Sequence, residues 1–239
     1  MPPRIQALPT LVVNQIAAGE VIERPASVVK ELLENSVDAG AGRIEIDVEQ
    51  GGQELIRLVD DGGGIEPDDL PLAFANHATS KLRDAGDLFA IGTFGFRGEA
   101  LASVGGVAQV VLQSRPPGRE SGAMVECRGS ELSAVRPWNG SPGTRVEVRQ
   151  LFYNTPVRRK FLRAPATEMG HISEAVTRLA LAHARAGDRP GLHLVLRHNG
   201  RSVYEVTRTA TLRDRVEQFF GPDVAKHLYE VELVRGWRG

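Results

Sequence analysis

Glu31, Asn35 and Asp38 recur at i, i+4 and i+7 in the run ELLENSVDAG, with Glu34 beside them. On a helix this spacing gathers three carboxylates and a carboxamide into one narrow polar stripe. A carboxylate can take a proton from a water, and an amide oxygen one turn away can hold a hard cation without adding charge. Facing bulk water, the same stripe would be an ordinary solvated surface. Three further segments carry residues of chemical interest: the acidic, glycine-rich turn Asp60 to Ile65, the stretch His77 to Lys81 together with Gly95 to Gly98, and Gly143-Thr144. The commoner phosphate motifs are missing, since the chain contains neither GxxxxGK[ST] nor GxGxxG. A P-loop or a dinucleotide-binding βαβ unit is thereby excluded.

The elements that must position these groups follow from periodicity. A helix is expected from Pro25 to Asp38, with proline in its first turn and Ala39-Gly40 at its end; Val29, Leu32, Leu33, Ser36 and Val37 form its core-facing arc. Arg43 to Gln50 alternates Ile44, Ile46 and Val48 against acids, Glu54 to Asp60 is again strand-like, and Gly51-Gly52 between them predicts a hairpin. A short helix near Asp68 to Asn76 comes next. Residues 77–98 then read as a glycine-rich mobile loop, leading to the N-terminus of a helix over Glu99 to Val104. Four strands near 108–115, 122–128, 131–137 and 144–151 suggest a meander, followed by a long helix from Thr167 to Ala186. Asn199-Gly200 between two apolar runs predicts a second hairpin, and the chain closes with a helix over Leu212 to Phe220 and one strand. The fold class is therefore α+β, a mixed and mostly antiparallel sheet with helices on one face.

Composition bounds the rest. With 239 residues, 41% hydrophobic and 25% charged, the chain can build one substantial core and a partial second domain. The longest apolar runs are four or five residues, against the roughly 18 to 20 that cross a bilayer, and no signal-like succession opens the chain. A soluble, cytoplasmic protein without membrane association is expected. Cys127 has no cysteine partner and reads as a packing residue. Residues 1–139 carry 12 Lys/Arg against 20 Asp/Glu, a sum of −8, whereas residues 140–239 carry 17 against 10, a sum of +7. A polyanion could be held on the later half, although arginine outnumbers lysine 25 to 4 along the whole chain, a compositional bias, and charge runs are commonly just solvated faces.

Together with the opening NQIAAGEVIERPASVVKEL, the runs ELLENSVDAG (31–40), DDGGGI (60–65), HATSK (77–81), GFRGEALAS (95–103) and LFYNTPVRRKFL (151–162) closely resemble the MutL family of DNA mismatch-repair proteins, members of the GHKL superfamily of ATPases. The resemblance runs in order over nearly the whole chain. It implies a Bergerat-type ATP-binding sandwich over residues 1–208 and the start of a second, transducer-like α/β domain over 209–239.

For the site, the resemblance implies that Glu31 is the general base for the attacking water, Asn35 the Mg²⁺ ligand and Asp60 the acceptor for the adenine amino group. Asp38, Ala39, Gly62, Gly64, Ile65 and Thr144 would also contact ATP; Gly62 and Gly64 would keep side chains off the purine. Thr79, Ser80 and Lys81 would lie in a lid, and Gly95, Phe96, Arg97, Gly98 and Glu99 would wrap the phosphates at a helix N-terminus. A carboxylate acceptor prefers adenine to guanine, whose carbonyl would face it as a second acceptor. Where many family members have Asn, this chain has Asp61, which is expected to face solvent or water.

Arg158, Arg159, Lys160 and Arg163 form a basic cluster that could touch DNA, or a surface segment packed on the sheet. The partners implied are DNA bound non-specifically, a mismatch-recognition protein, a downstream repair nuclease or helicase, and a second copy in an ATP-dependent dimer. The second domain of the family supplies a lysine to the γ-phosphate, and no lysine follows Lys226 here, so slow hydrolysis is expected. Another GHKL enzyme, such as a topoisomerase subunit or a chaperone, and a non-catalytic nucleotide sensor remain as alternatives.

Overall fold

A computed structural model describes residues 21–75, 100–184 and 191–229. The first helix, α1, runs Pro25–Asp38 as expected. Proline at its start has no N–H to leave unpaired, and its fixed φ already suits a helix. Pro25, Val28, Val29, Leu32, Leu33 and Ser36 are buried at the spacing of one helix face. Beyond Asp38 the helix is closed by the Ala39 N–H on the Asn35 carbonyl, with Gly40 at φ 75° turning the chain toward the sheet.

Strand β1 (Arg43–Glu49) buries Ile44, Ile46 and Val48 and pairs antiparallel with β2 (Leu55–Asp60), the predicted hairpin. The expected short helix near 68–76 is instead two single 3₁₀ turns, Pro67–Asp69 and Leu72–Phe74. Pro67 and Pro71 each remove a donor, and neither turn is long enough to propagate. Helix α2 (Ala100–Val107) leads into β3 (Gln109–Arg115) and β4 (Gly122–Arg128), an antiparallel pair. Cys127 is buried against α2, where a Cβ on Gly105 would lie 2.6 Å from its sulfur, and burial pushes the thiol up to about 11. It is a packing residue, as its sequence context suggested.

The meander does not continue. The expected 131–137 strand is split into β5 (Glu131–Leu132) and β6 (Arg136–Trp138), both short and both paired on β4. Pro137 and the exposure of this edge limit its pairing. Strand β7 (Gly143–Arg149) passes them and enters between β3 and β2, antiparallel to both. Its Val146 and Val148 sit opposite Leu58 and Ile56 on one side and Leu112 and Val110 on the other, completing an apolar row. Alternation along a strand names its buried face and leaves its neighbours open, which is why the meander was the wrong topology.

After α3 (Pro156–Phe161), helix α4 (Pro165–Ala182) lays Met169, Ile172, Val176 and Ala180 into the core beside α1. Strand β8 (His193–His198) then adds parallel to β1, and β9 (Arg201–Val206) closes a hairpin on it. Asn199 and Gly200 take φ 49° and 75° in the turn, the paired positive values that a two-residue hairpin needs. The sheet order is β5-β4-β3-β7-β2-β1-β8-β9 with β6 also on β4. Helix α5 (Leu212–Phe220) falls where expected, capped by reciprocal Thr211 and Asp214 bonds, and a short helix α6 (Pro222–Lys226) follows it. The expected closing strand lies outside the described residues. Among the described residues, no helix is long and apolar enough to cross a membrane.

Candidate nucleotide site

The insertion of β7 brings three strand ends together beneath the C-terminal half of α1. Asp60 closes β2 and stands in register with Thr144 on β7, which in turn is paired with Ser114 on β3. The Asp60 side chain is only 7% exposed, yet it meets three donors. Its Oδ2 accepts from the Ser36 hydroxyl at 2.7 Å; its Oδ1 accepts from the Gly62 N–H at 2.9 Å and the Thr144 N–H at 3.3 Å. Burial pushes this carboxyl above its ordinary value, while the bonds from Ser36, Gly62 and Thr144 pull it down and the neighbouring charge of Asp61 pushes it up again. Two carboxylate oxygens offer about four acceptor positions. Three are taken by donors among the described residues, and the fourth has no donor among them.

Ser36 and Ser114 belong to this site although neither was singled out from the sequence. Ser36 was read as part of the apolar arc of α1; it is buried, and its hydroxyl ties the helix to Asp60. Ser114 is fully buried at the end of β3, accepts the Ile65 N–H at 2.8 Å, and lies 3.0 Å from both the Gly143 carbonyl and the Thr144 hydroxyl. A signal existed in each case: a serine at a core position of a periodic pattern must find a partner when buried.

The glycines are required by the backbone. Gly64 has φ 70°, and a Cβ there would come 2.7 Å from the Arg115 carbonyl oxygen; the residue lets the 60–65 turn cross the end of β3. Gly143 has φ 116°, and its Cβ would fall 2.0 Å from the Asp60 carbonyl oxygen. Gly143→Ala is therefore expected to lower unfolding stability by about 2 to 4 kcal/mol, from strain and overpacking together. A denaturation midpoint unchanged from the parent would show instead that this turn shifts freely.

Along α1, Glu31, Glu34, Asn35 and Asp38 are all half-buried, so the polar stripe is not simply a solvated face. The Ser36–Asp60 bond fixes the rotation of the helix about its axis, and with it the side on which the stripe lies. Lys30 stands 3.5 Å from Glu31 and 3.0 Å from Glu34, from a mostly exposed position. Asp38 acts electrostatically on His183 at the end of α4, whose imidazole is held below its ordinary value by burial and raised partway by that carboxylate. The Ala39 carbonyl accepts the Gly63 N–H at 2.9 Å, joining the helix end to the acidic turn. Asp61 departs from expectation: the residue is exposed, but its carboxylate bonds the backbone N–H groups of Gly42 and Arg43 and does not simply face water. Thr79, Ser80, Lys81, Gly95, Phe96, Arg97, Gly98 and Glu99 lie outside the described residues.

The basic cluster is gathered on and just after α3. Its members are used unequally: the Arg158 guanidinium stacks over the Phe152 ring at 5.9 Å, and Arg159 pairs with Glu54 at 3.1 Å. Lys160 and Arg163 are exposed, as are Val157 and Phe161 on the same helix.

Known proteins resemble this chain in sequence and in fold. The family model for histidine kinase-, DNA gyrase B- and HSP90-like ATPases matches residues 22–141. Curated relatives include the DNA mismatch repair protein MutL of Anaeromyxobacter dehalogenans (strain 2CP-C), 52% identical over 234 residues, and that of Azotobacter vinelandii, 51% identical over 248 residues. These alignments cover 98% and 100% of this chain, and the chain spans 38% of each relative. Among solved structures, the Aquifex aeolicus MutL ATPase domain complexed with ADP is 32% identical with a TM-score of 0.66, covering 84% of this chain and 70% of that one. The N-terminal domain of a DNA repair protein matches with a TM-score of 0.75 at 27% identity, covering 95% of this chain and 66% of that one.

Proposed function

This chain belongs to the MutL family of DNA mismatch-repair proteins and carries its GHKL-type ATPase domain; from that premise we propose that Asp60 holds the adenine of ATP while Glu31 and Asn35 serve hydrolysis at the other end of the nucleotide. The observation that carries the reading is the Asp60 carboxylate, nearly buried, with three acceptor positions bound by donors among the described residues and a fourth with none among them. An amino group is the donor such a carboxylate lacks. A charge-assisted bond of this kind contributes about 1.5 to 3 kcal/mol and discriminates against a carbonyl at the same place on the ring. Thr144, Ile65, Gly62, Gly64 and Ala39 form the wall around that group.

Glu31 takes the proton of the attacking water at its carboxylate, one helical turn from Asn35. Mg²⁺ would be held by the Asn35 amide oxygen together with the nucleotide, neutralising charge on the phosphates when bound. The donor set suits that arrangement: among the described residues no three His, Cys, Asp or Glu side chains are grouped to cage a metal, and Mg²⁺ is commonly held through one or two protein oxygens plus substrate phosphates. Asp38 supports the same end of α1. By the family resemblance, phosphate contacts are also assigned to Lys81, Thr79, Ser80 and the Gly95–Glu99 segment, which lie outside the described residues.

In the whole protein, ATP-dependent closure of two N-terminal regions would regulate the repair partners: a mismatch-recognition protein upstream and a nuclease or helicase downstream. Residues 1–208 form the ATP-binding domain in this reading. Residues 209–239 begin the second domain, docked through Arg215, which is fully buried and donates to the Leu192 carbonyl, and through the edge contact of Phe219 with Tyr204 at 5.2 Å. Non-specific DNA contact would draw on Lys160 and Arg163 more than on Arg158 and Arg159, whose guanidiniums are already engaged. A cytoplasmic, nucleoid-associated location fits these partners.

Calorimetry with a nonhydrolysable ATP analogue and Mg²⁺, set against the GTP counterpart, tests the adenine assignment. Saturable binding of the adenine nucleotide with at least tenfold weaker binding of guanine is the expected result. Equal affinities would remove Asp60 from its role.

A further inference from the structure

Asp60 and Asp61 are consecutive acids with opposite errands. Asp60 turns toward α1, whereas Asp61 turns along the sheet, where one oxygen, Oδ1, accepts the Gly42 N–H and the Arg43 N–H, each at 2.7 Å. Those two amides sit where the turn after α1 enters β1, at its last residue and at the first residue of the strand. The return bond, from the Asp61 N–H to the Arg43 carbonyl at 3.3 Å, closes the same junction. The turn is also crowded from outside: a Cβ on Gly42 would fall 2.4 Å from Nη2 of Arg208 and 3.7 Å from Asp61 Oδ2, so the Arg208 guanidinium closes over Gly42 beside that carboxylate.

We infer that Asp61 is a positioning residue for nucleotide binding, fixing the end of α1 against the acidic turn so that Asp60 and the helix stripe keep one spacing. Three clasps join α1 and the loop behind it to the segment 60–63. They are Ser36 to Asp60, the Gly63 N–H to the Ala39 carbonyl, and the Gly42 and Arg43 amides to Asp61. The first two act on the helix itself. The third is the one that holds the exit from the helix, and it is the one made by a charged acceptor on two amides. The adenine acceptor and the residues assigned to the phosphate end lie on the two bodies so joined. Loosening the third clasp spreads the distance between them and weakens a ligand that must bridge both, while the residues that perform the chemical step are untouched. This inference rests on the adenine role proposed for Asp60.

Asp61 also leaves an electrostatic trace. Among the described residues, the groups facing Asp60 are the Ser36 hydroxyl from α1, the Gly62 amide from its own turn and the Thr144 amide from β7, and Asp61 supplies the neighbouring charge. That charge opposes ionisation of Asp60. An asparagine at 61 keeps an amide oxygen for both backbone N–H groups and removes the charge.

The test compares the parent chain with Asp61→Ala, Asp61→Asn and Asp60→Asn, measuring affinity for a nonhydrolysable ATP analogue from pH 4.5 to 8 and single-turnover ATP hydrolysis at saturating nucleotide. Asp61→Ala should weaken binding by about tenfold or more through the loss of two charge-assisted bonds, with the saturated hydrolysis rate within about twofold of the parent. Asp61→Asn should restore affinity near neutral pH and move the acid midpoint of binding to lower pH. Affinity of Asp61→Ala equal to the parent, a hydrolysis rate that falls as far as affinity, or an Asp61→Asn variant as weak as the alanine one would each overturn the positioning role. If the alanine variant does not fold, the asparagine variant still decides, since an affinity near neutral pH well below that of the parent would contradict an arrangement in which its amide oxygen holds both backbone N–H groups. A parent chain that binds no nucleotide, or an Asp60→Asn chain that binds as well as the parent, removes the adenine role and the positioning role with it. Failure confined to the Asp61 variants removes the second alone.

Discussion

Glu31→Ala should leave nucleotide affinity close to the parent value and reduce single-turnover hydrolysis by about 10²- to 10⁴-fold, the range associated with loss of a positioned general base. The fold has little reason to suffer. Glu31 is half-buried on the polar side of α1 and contributes none of the core residues of that helix. Its ion pair with Lys30 is made to a side chain that is 55% exposed, and Lys30 keeps Glu34 at 3.0 Å; such surface pairs contribute about 0 to 1 kcal/mol. Alanine is also the best helix former. Rapid-quench measurement of bound ATP, alongside calorimetry of the nonhydrolysable analogue, separates the two quantities. A chain that only senses nucleotide would hydrolyse no more slowly after the substitution, and an unchanged single-turnover rate would therefore return Glu31 to the solvated surface.

Asp60→Asn is expected to do the reverse, removing binding while sparing the fold. The asparagine amide oxygen can still accept from the Gly62 and Thr144 N–H groups. Its NH₂ can donate to the Ser36 oxygen, because the Ser36 hydroxyl already lies 3.2 Å from the Leu32 carbonyl and can give its proton there. The internal network survives, but the position left for the adenine amino group now presents a donor to a donor. Loss of a charge-assisted bond of about 1.5 to 3 kcal/mol predicts roughly 10- to 150-fold weaker binding, before any repulsion. Selectivity against guanine should shrink as well, since its carbonyl meets the new NH₂.

The stability of the same variant has a definite pH dependence. In the folded state Asp60 has its carboxyl raised above the ordinary value. Its stabilising contribution is therefore full below the unfolded-state value and is lost as pH rises through the higher folded-state value. At neutral pH the buried, ionised carboxylate is a burden that asparagine lacks, so the variant should melt at the parent temperature or higher. Acidification through the folded-state value should narrow the difference. Thermal melts at pH 7 and pH 4 test this, and a variant much less stable at pH 7 would mean that the Ser36 hydroxyl cannot reverse its bond.

The local elements were legible because each is specified by neighbours in sequence. Pro25 and the apolar residues at three- and four-residue spacing define α1; alternating Ile44, Ile46 and Val48 define β1; Asn199-Gly200 defines the β8–β9 turn. The polar stripe and the acidic glycine turn were visible as unusual groupings of residue types, and their order along the chain pointed to a family. Where prolines or an exposed sheet edge broke a pattern, at 67–74 and 131–138, the sequence-based elements were too long.

Sequence by itself determined which faces are apolar, where turns fall, and that Asp60 stands among glycines. It did not determine that β7 enters between β3 and β2, because pairing partners are chosen by the packing of whole strands, and alternation is the same for every neighbour. That choice places Thr144 and Ser114 at Asp60, and it converts an acidic turn into a nearly buried carboxylate whose fourth acceptor position has no donor among the described residues. Ser36 was assigned to the core by periodicity, correctly as to burial; only the tertiary structure supplied its partner, twenty-four residues away, because a buried hydroxyl is satisfied by whatever acceptor the fold brings to it.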